Sequence, residues 1–146
     1  MTARIVWLVP VLFLFSGCFV PHLIAGVQDT GLTVNSRRSL LPKEVKEFQE
    51  AVYYNNVMKA LTKVADEMKE SVKGDLMSRK ERERIVEYKV EFSDFDESAY
   101  RAKVDVAVKY FEIPRYVVQT RIEKEDWHYI TPGGWKLVDR KFEQKP

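Results

Sequence analysis

Cysteine is almost missing from this chain. Cys18 is the only one, so no internal disulfide can form. A small exported scaffold stapled by disulfides is thereby excluded. Histidine is nearly as scarce, with His22 and His128 alone, and there is no CxxC, HExxH or glycine-rich phosphate loop. A zinc site needs three or four ligands, and a nucleotide site needs its backbone cradle. Neither a metal nor a cofactor is therefore expected. Six glycines and six prolines are too few for a collagenous or low-complexity chain. Excess charge of one sign is lacking as well. The 24 basic and 22 acidic residues leave a net +2, mixed along the chain, so nucleic acid is not expected as a partner. Internal repeats are absent, and long apolar runs are confined to the N-terminus. The remaining composition, 45% hydrophobic and 32% charged, is that of a globular fold rather than a disordered one. The 146 residues suit one domain. Without its leader, roughly 128 residues suffice for a core that needs no crosslinks.

That N-terminus organises the rest. Arg4 and the free amine give a small positive region, an apolar run follows over 5–15, and Ser16 and Gly17 precede Cys18. This order reads as a secretory signal that ends at a lipid-modified cysteine. It resembles a bacterial lipobox: the small residues let the processing peptidase admit the backbone. Phe15 stands where an aliphatic residue is commonest, and Leu14 comes one place early. On this reading residues 1–18 are a lipoprotein-type signal peptide ending at the lipidated Cys18, and 19–41 are a tether. Several acyl chains on Cys18 give the stable anchoring that one chain cannot. Phe19 replaces the Asp that would resemble an inner-membrane retention signal, so the outer membrane is expected over the inner, with the domain facing the periplasm. Two alternatives stay open. Phe19, Val20 and the apolar residues over 23–27 prolong the run, and 5–27 is long enough to span a bilayer uncleaved, although Pro10, Pro21 and His22 weaken it as a helix. Ordinary cleavage leaving a free thiol is the other. All three export the C-terminal part.

In the tether, Gly26, Asp29, Gly31, Asn35 and Ser36 break any periodicity, and Arg37 with Arg38 can touch anionic headgroups. Pro42 suits the first turn of a helix, where its missing N–H has no partner anyway. Val45, Phe48, Val52, Val57, Leu61, Val64, Met68 and Val72 then recur at three- and four-residue steps, with one step of five. The pattern predicts one long amphipathic helix, or two collinear ones broken near Tyr54, Asn55 and Asn56, with Gly74 capping the end. The stripe is read as packing on a sheet rather than as a coiled-coil seam. Ser78 with Glu81 fits a capping box and predicts a short helix over 79–86. Its run of Arg79, Lys80, Arg82 and Arg84, interleaved with Glu81 and Glu83, reads as a solvated face.

From Tyr88 the period becomes two. Tyr88, Val90 and Phe92 share a face, and Asp94 to Glu97 turn the chain. Tyr100, Ala102, Val104, Val106, Val108 and Tyr110 make the clearest buried face, with Arg101, Lys103, Asp105 and Lys109 opposite. Ile113, Pro114 and Arg115 form the next turn. A third strand over 116–129 starts with Val118, Thr120 and Ile122 facing the core, and a bulge within 123–126 brings Trp127 to the same side. Thr131, Pro132, Gly133 and Gly134 make a hairpin turn before a last strand over 135–142 and a polar tail over 143–146. The expected fold class is α+β: a long N-terminal helix and a short helix packed on one face of a curved, four-stranded antiparallel meander sheet, spanning 42–142.

Several of these residues carry a resemblance. Tyr53-Tyr54, Gly74-Asp75 and the Ser78 to Arg82 stretch look like the first half of the NTF2-like (cystatin-like) superfamily. Ala102 to Val106, Trp127 and Gly133 to Leu137 look like its later strands. The resemblance implies the superfamily's helix-on-sheet fold and pairing of two copies through the open sheet face. A usual helical insertion between strands is not evident, which argues against the full conical pocket of its enzymes. Lyases, isomerases, ligand binders and plain interaction modules all share this fold, so it decides no activity.

The chemistry is correspondingly sparse. Asp126 and His128 share strand parity, as a base and its orienting carboxylate must, but adjacent polar residues on a wet strand face explain them as well. No catalytic residue is assigned, and an enzyme is not expected. Tyr88, Phe92, Tyr100, Tyr110, Trp127 and Trp135 read mainly as core aromatics. The expectation is an exported, membrane-anchored lipoprotein whose domain is a non-enzymatic interaction or assembly module in the cell envelope. Its partners are the membrane, through Cys18, and an unidentified envelope protein. A second copy is a further candidate, paired through Arg101, Lys103, Asp105 and Lys109. The alternative is a carrier for a small apolar ligand, held in a helix–sheet cavity lined by Tyr100, Val104 and Trp127.

Overall fold

A computed structural model describes residues 31–144. The first helix, α1, spans Val34–Tyr53. It begins well before Pro42 because Thr33 and Ser36 form a reciprocal capping box: the Ser36 N–H donates to Thr33 Oγ1 at 3.1 Å, and the Thr33 N–H donates to Ser36 Oγ at 3.1 Å. The expected tether is corrected accordingly. Its last residues, 34–41, are helical and belong to the domain, and Pro42 lies inside α1 rather than opening it.

Arg37 shows why this start is fixed. The side chain is buried, and its guanidinium donates to the carbonyls of Gly31, Leu32, Ser98 and Ala99 at 2.7–3.2 Å. It also lies 4.1 Å from the Tyr100 ring centre. Arg37 is therefore an internal staple and not a headgroup contact, while Arg38 stays exposed. Gly31 sits at φ +66°, and a Cβ there would fall 1.7 Å from Tyr129 Oη. Only glycine fits.

The break expected near Tyr54 is present. Asn55 takes φ 55°, Asn56 N–H returns to the Ala51 carbonyl at 2.8 Å, and Asn56 Oδ1 caps the next short helix, α2, Val57–Leu61. The chain then leaves the helix to touch the sheet. Val64 bridges Leu137 in parallel: Leu137 N–H donates to the Lys63 carbonyl at 2.8 Å, and Ala65 N–H to the Leu137 carbonyl at 2.9 Å. A 3₁₀ turn, Asp66–Met68, leads into α3, Lys69–Arg82. Gly74 is inside α3 and caps nothing, and the helix expected over 79–86 is the second half of α3 followed by strand. The apolar stripe misled here because Val64 is buried by that bridge while Val72 and Leu76 are buried by a separate helix.

Four strands follow: β1 Glu83–Phe95, β2 Arg101–Glu112, β3 Val118–Ile130 and β4 Gly134–Gln144. They pair antiparallel in the order β1-β2-β3-β4. The four-stranded expectation needs one addition. Val64 occupies a one-residue fifth position beside β4, and the sheet is open rather than closed. The α+β class and the meander stand. The helices cover the inner face, where Leu41, Val45 and Phe48 of α1 meet Val104, Val106, Trp127, Trp135 and Leu137 in one core. Phe48 and Trp127 pack edge to face at 5.9 Å. Trp135 Nε1 donates to the Arg37 carbonyl at 2.8 Å and so joins β4 to the first turns of α1. Among the described residues, no helix is long and apolar enough to cross a membrane.

On β2 the buried face is Ala102, Val104, Val106, Val108 and Tyr110, as expected, but Tyr100 is 44% exposed. On β3 the expected face is reversed. Val118 is exposed, and the inward positions are Arg121, Glu123, Glu125 and Trp127. Trp127 reaches the core with no bulge in β3. The irregularity lies in β4, where Asp126 pairs with Asp139 but Trp127 pairs with Leu137, leaving Val138 as the extra residue.

Candidate functional site: a buried ionic cluster

That bulge has a chemical result. Past Val138 the inward parity of β4 passes to Arg140 and Phe142, opposite Glu125 and Glu123 of β3. Arg140 of β4 thus joins Arg121, Glu123 and Glu125 of β3 beneath the helices. Glu123 and Glu125 are 0% and 1% exposed, Arg121 is 3% exposed, and the Arg140 side chain is 4% exposed. Ions at such depth need partners.

The partners form a chain. Arg121 donates from Nε to Glu123 Oε1 at 2.7 Å and from Nη1 to Glu83 Oε2 of β1 at 2.5 Å. Arg140 donates from Nη2 to Glu123 Oε2. From α3, Arg79 donates to Asp75 Oδ1 at 2.7 Å and to Glu83 Oε1 at 3.2 Å. Phe142 lies among the three guanidinium groups, 3.9 Å from that of Arg79, 4.9 Å from Arg140 and 5.6 Å from Arg121.

Glu125 stands slightly apart. Its carboxyl accepts from Gln49 Nε2 of α1 at 2.7 Å and from Trp127 Nε1 at 3.0 Å, and Arg140 Nε approaches only to 3.7 Å. Arg79, Arg121 and Arg140 are matched by Asp75, Glu83 and Glu123, so Glu125 is the surplus acid. Burial, reinforced by the Glu123 charge, pushes its carboxyl up to about 7, against the pull of Arg140, Trp127 and Gln49. Burial pushes Glu123 up too, but Arg140 and Arg121 outweigh it and hold the carboxyl below its ordinary value.

Above the cluster, Val52, Tyr53, Leu76, Arg79, Arg121 and Arg140 bound a narrow cleft of about 30 Å³. That is room for a small number of water-sized groups. Arg140 Nε, Arg140 Nη1 and Asp75 Oδ2 are buried without a hydrogen bond, with Nη1 and Oδ2 3.5 Å apart. Among the described residues, no three His, Cys, Asp or Glu side chains gather as a metal site.

The residues singled out in the sequence do not converge on this cluster. Cys18, the leader and the first part of the tether lie outside the described residues. Val104 and Trp127 are both buried, but as packed core, and Tyr100 lies outside against Arg37, so the three enclose no common cavity. Asp126 and His128 are on the outer sheet face, paired across the ladder with Lys103 and Arg101. With Asp94 and Asp96 they edge an open depression rather than an enclosed cleft. Arg101, Lys103, Asp105 and Lys109 occupy the outer face as expected, and Lys109 already pairs with Glu87 at 2.7 Å. The charge run over 79–84 is divided: Arg79 and Glu83 turn into the cluster, while Lys80, Arg82 and Arg84 stay exposed.

Sequence reasoning missed Arg121, Glu123, Glu125 and Arg140. The signal was present on β3. Trp127 has to be inside, and by simple alternation it takes Glu125, Glu123 and Arg121 with it.

No family description matches the chain, and no curated protein matches it in sequence. Solved structures do. A ketosteroid isomerase-like protein from Erwinia carotovora atroseptica is 13% identical, with 74% of this chain and 96% of that one covered at a TM-score of 0.63. A protein of unknown function with a cystatin-like fold from Nostoc punctiforme is 13% identical, with 75% and 91% covered at 0.57. A SEC-C motif containing protein from Rhodopseudomonas palustris is also 13% identical, with 64% and 70% covered at 0.54. At such identity the likeness is one of fold. The domain has the NTF2-like, cystatin-like fold, and these neighbours assign it no activity.

Proposed function

We propose that this protein is an exported lipoprotein, anchored at Cys18, whose domain works by contacting other proteins at the membrane rather than by catalysis. The filled interior is the observation that carries this reading. Where helix and sheet enclose a space, Trp127, Phe48 and the ionic cluster occupy it, and about 30 Å³ remain. That volume is far below the several hundred Å³ of an ordinary small-molecule site. Glu125 has a carboxyl tuned near neutrality, but it is sealed from any reactant. The lipobox-like Ser16, Gly17 and Cys18 support the anchor, and the exposed outer sheet face supports a docking role.

The test is photo-crosslinking in envelope membranes. A crosslinking residue is placed at Lys103 or Lys109 on the outer face, and another at Met77 on α3 as a comparison. A discrete protein adduct, hetero- or homomeric, specific to the outer-face positions is expected. Absence of any specific adduct, together with turnover or saturable uptake of a small apolar compound by the purified protein, contradicts the reading.

A further inference from the structure

One end of the molecule carries a surface unlike the rest. The β2–β3 connection places Ile113, Tyr116, Val117 and Val118 in solvent at 40%, 67%, 61% and 55% exposure. These four are consecutive but for Pro114 and Arg115, and water gains nothing from them. Tyr116 is held at φ 52°, a conformation that non-glycine residues rarely adopt, with its ring 5.4 Å from that of Phe111.

A predominantly basic edge adjoins this tip. The Ile113 N–H donates to the Arg82 carbonyl at 2.9 Å, which fixes the loop against the end of α3. Arg84 lies across the ladder from Phe111. Arg82 donates to Ser78 Oγ at 2.8 Å, and Arg84 donates to the carbonyls of Lys80 and Glu83 at 2.6 and 2.8 Å. Both guanidiniums thus hydrogen-bond neutral oxygens rather than a carboxylate. Lys80 and Arg115 are also exposed; exposed Glu81 and half-buried Glu112 lie in the same segments, so four basic side chains stand against two acids at this end. Exposed apolar side chains beside a basic edge match a lipid interface, where the apolar groups enter the acyl boundary and the cations meet phosphates. A water-facing loop has no use for the first set, and an acidic soluble partner has little use for four apolar residues.

We infer that the β2–β3 tip, with Ile113, Tyr116 and Val117 as its wedge and Arg82, Arg84 and Arg115 as its basic edge, is a docking site for an anionic phospholipid surface. This goes beyond the anchor at Cys18: it is a second, non-covalent contact, made by the folded domain itself.

The experiment uses the full chain carrying Cys18→Ser and Val117→Cys, labelled at 117 with an environment-sensitive fluorophore. A matching chain is labelled at His128→Cys on the outer sheet face. Vesicles of phosphatidylcholine alone are compared with vesicles containing phosphatidylglycerol. The expected result is a blue shift at 117 with phosphatidylglycerol only, reversed by added salt, and no shift at 128. Arg82→Glu with Arg84→Glu lowers the apparent affinity at least about 30-fold, since each basic residue near such a surface contributes on the order of a factor of five to ten. Recruitment by the apolar leader moves with both vesicle types and survives the charge reversal. No shift at 117 on phosphatidylglycerol vesicles, equal shifts on both lipids, or an unchanged affinity in the charge-reversed chain overturns the inference without touching the proposed anchor at Cys18.

Discussion

Glu125→Gln is the sharpest probe of the buried cluster. In the folded chain the Glu125 carboxyl titrates near 7, against an ordinary value of 4.5. Between those values the folded state keeps a proton that the unfolded chain has lost. Stability from this group is therefore complete below about 4.5, declines as pH rises, and is gone above about 7. A displacement of this size corresponds to roughly 3 kcal/mol at 1.36 kcal/mol per pH unit. Glu123 works in the opposite sense. Its folded carboxyl is held low by Arg140 and Arg121, so its contribution is present above the usual carboxylate range and lost on acidification. The two effects fall in different windows, and only Glu125 acts between about 5 and 7. The Glu125→Gln chain keeps shape and hydrogen bonding: Trp127 Nε1 still finds an oxygen, and the Gln49 amide turns over to accept from the new NH₂. Urea unfolding at pH 5 and pH 8 is the assay, with the m-value checked for constancy. The wild type should lose about 2–3 kcal/mol over that interval; the variant should lose little and should be the more stable chain at pH 8. A variant with the wild-type slope, or one weaker than wild type at pH 8, refutes the assignment of the surplus acid.

Other consequences are direct. Arg140→Met removes the cation shared by Glu123, Asp75 and Glu125 and leaves buried acids uncompensated, so it should cost about 3–5 kcal/mol in urea unfolding. The loss should shrink at low pH, where the Glu123 carboxyl, no longer held low by Arg140, takes a proton. Arg37→Ala strips the donors from four carbonyls and the cation from the Tyr100 face. A loss of about 3 kcal/mol is expected, with faster amide hydrogen exchange at residues 33–37 and 99–101. Gly31→Ala is expected to weaken the same latch by about 1–3 kcal/mol through contact with Tyr129 and the positive φ.

Much of the fold was legible because strand alternation is a strong signal. Val104, Val106 and Val108 on β2 could face only one way, and the Tyr54 to Asn56 break announced itself through two asparagines able to cap and to adopt positive φ. The helix boundaries were less legible. Pro42 suggested a start, yet the Thr33–Ser36 box set it, and a threonine–serine pair is a quieter signal than a proline. The apolar stripe ran through Val64 without revealing that this residue leaves the helices to bridge Leu137. The ionic cluster was hidden for a different reason. Arg121, Glu123 and Glu125 look like a wet face by composition, although alternation from Trp127 turns them inward. What no pattern in β3 records is the Val138 bulge of β4, which turns Arg140 inward to meet them. Hydrophobicity placed Val118 and Ile122 inward, whereas the parity of a single tryptophan decided the face.

The anchor at Cys18 is the claim on which the proposed role turns, and labelled palmitate reads it directly. Wild-type and Cys18→Ala chains are expressed in a bacterial host, and the protein is followed by acyl incorporation, intact mass and membrane fractionation. The account predicts a lipid-sized mass increment and label on the wild type, both lost in Cys18→Ala along with stable membrane retention, while the domain stays folded. A wild-type chain without label or added mass, or a Cys18→Ala chain that remains as firmly in the membrane, contradicts it.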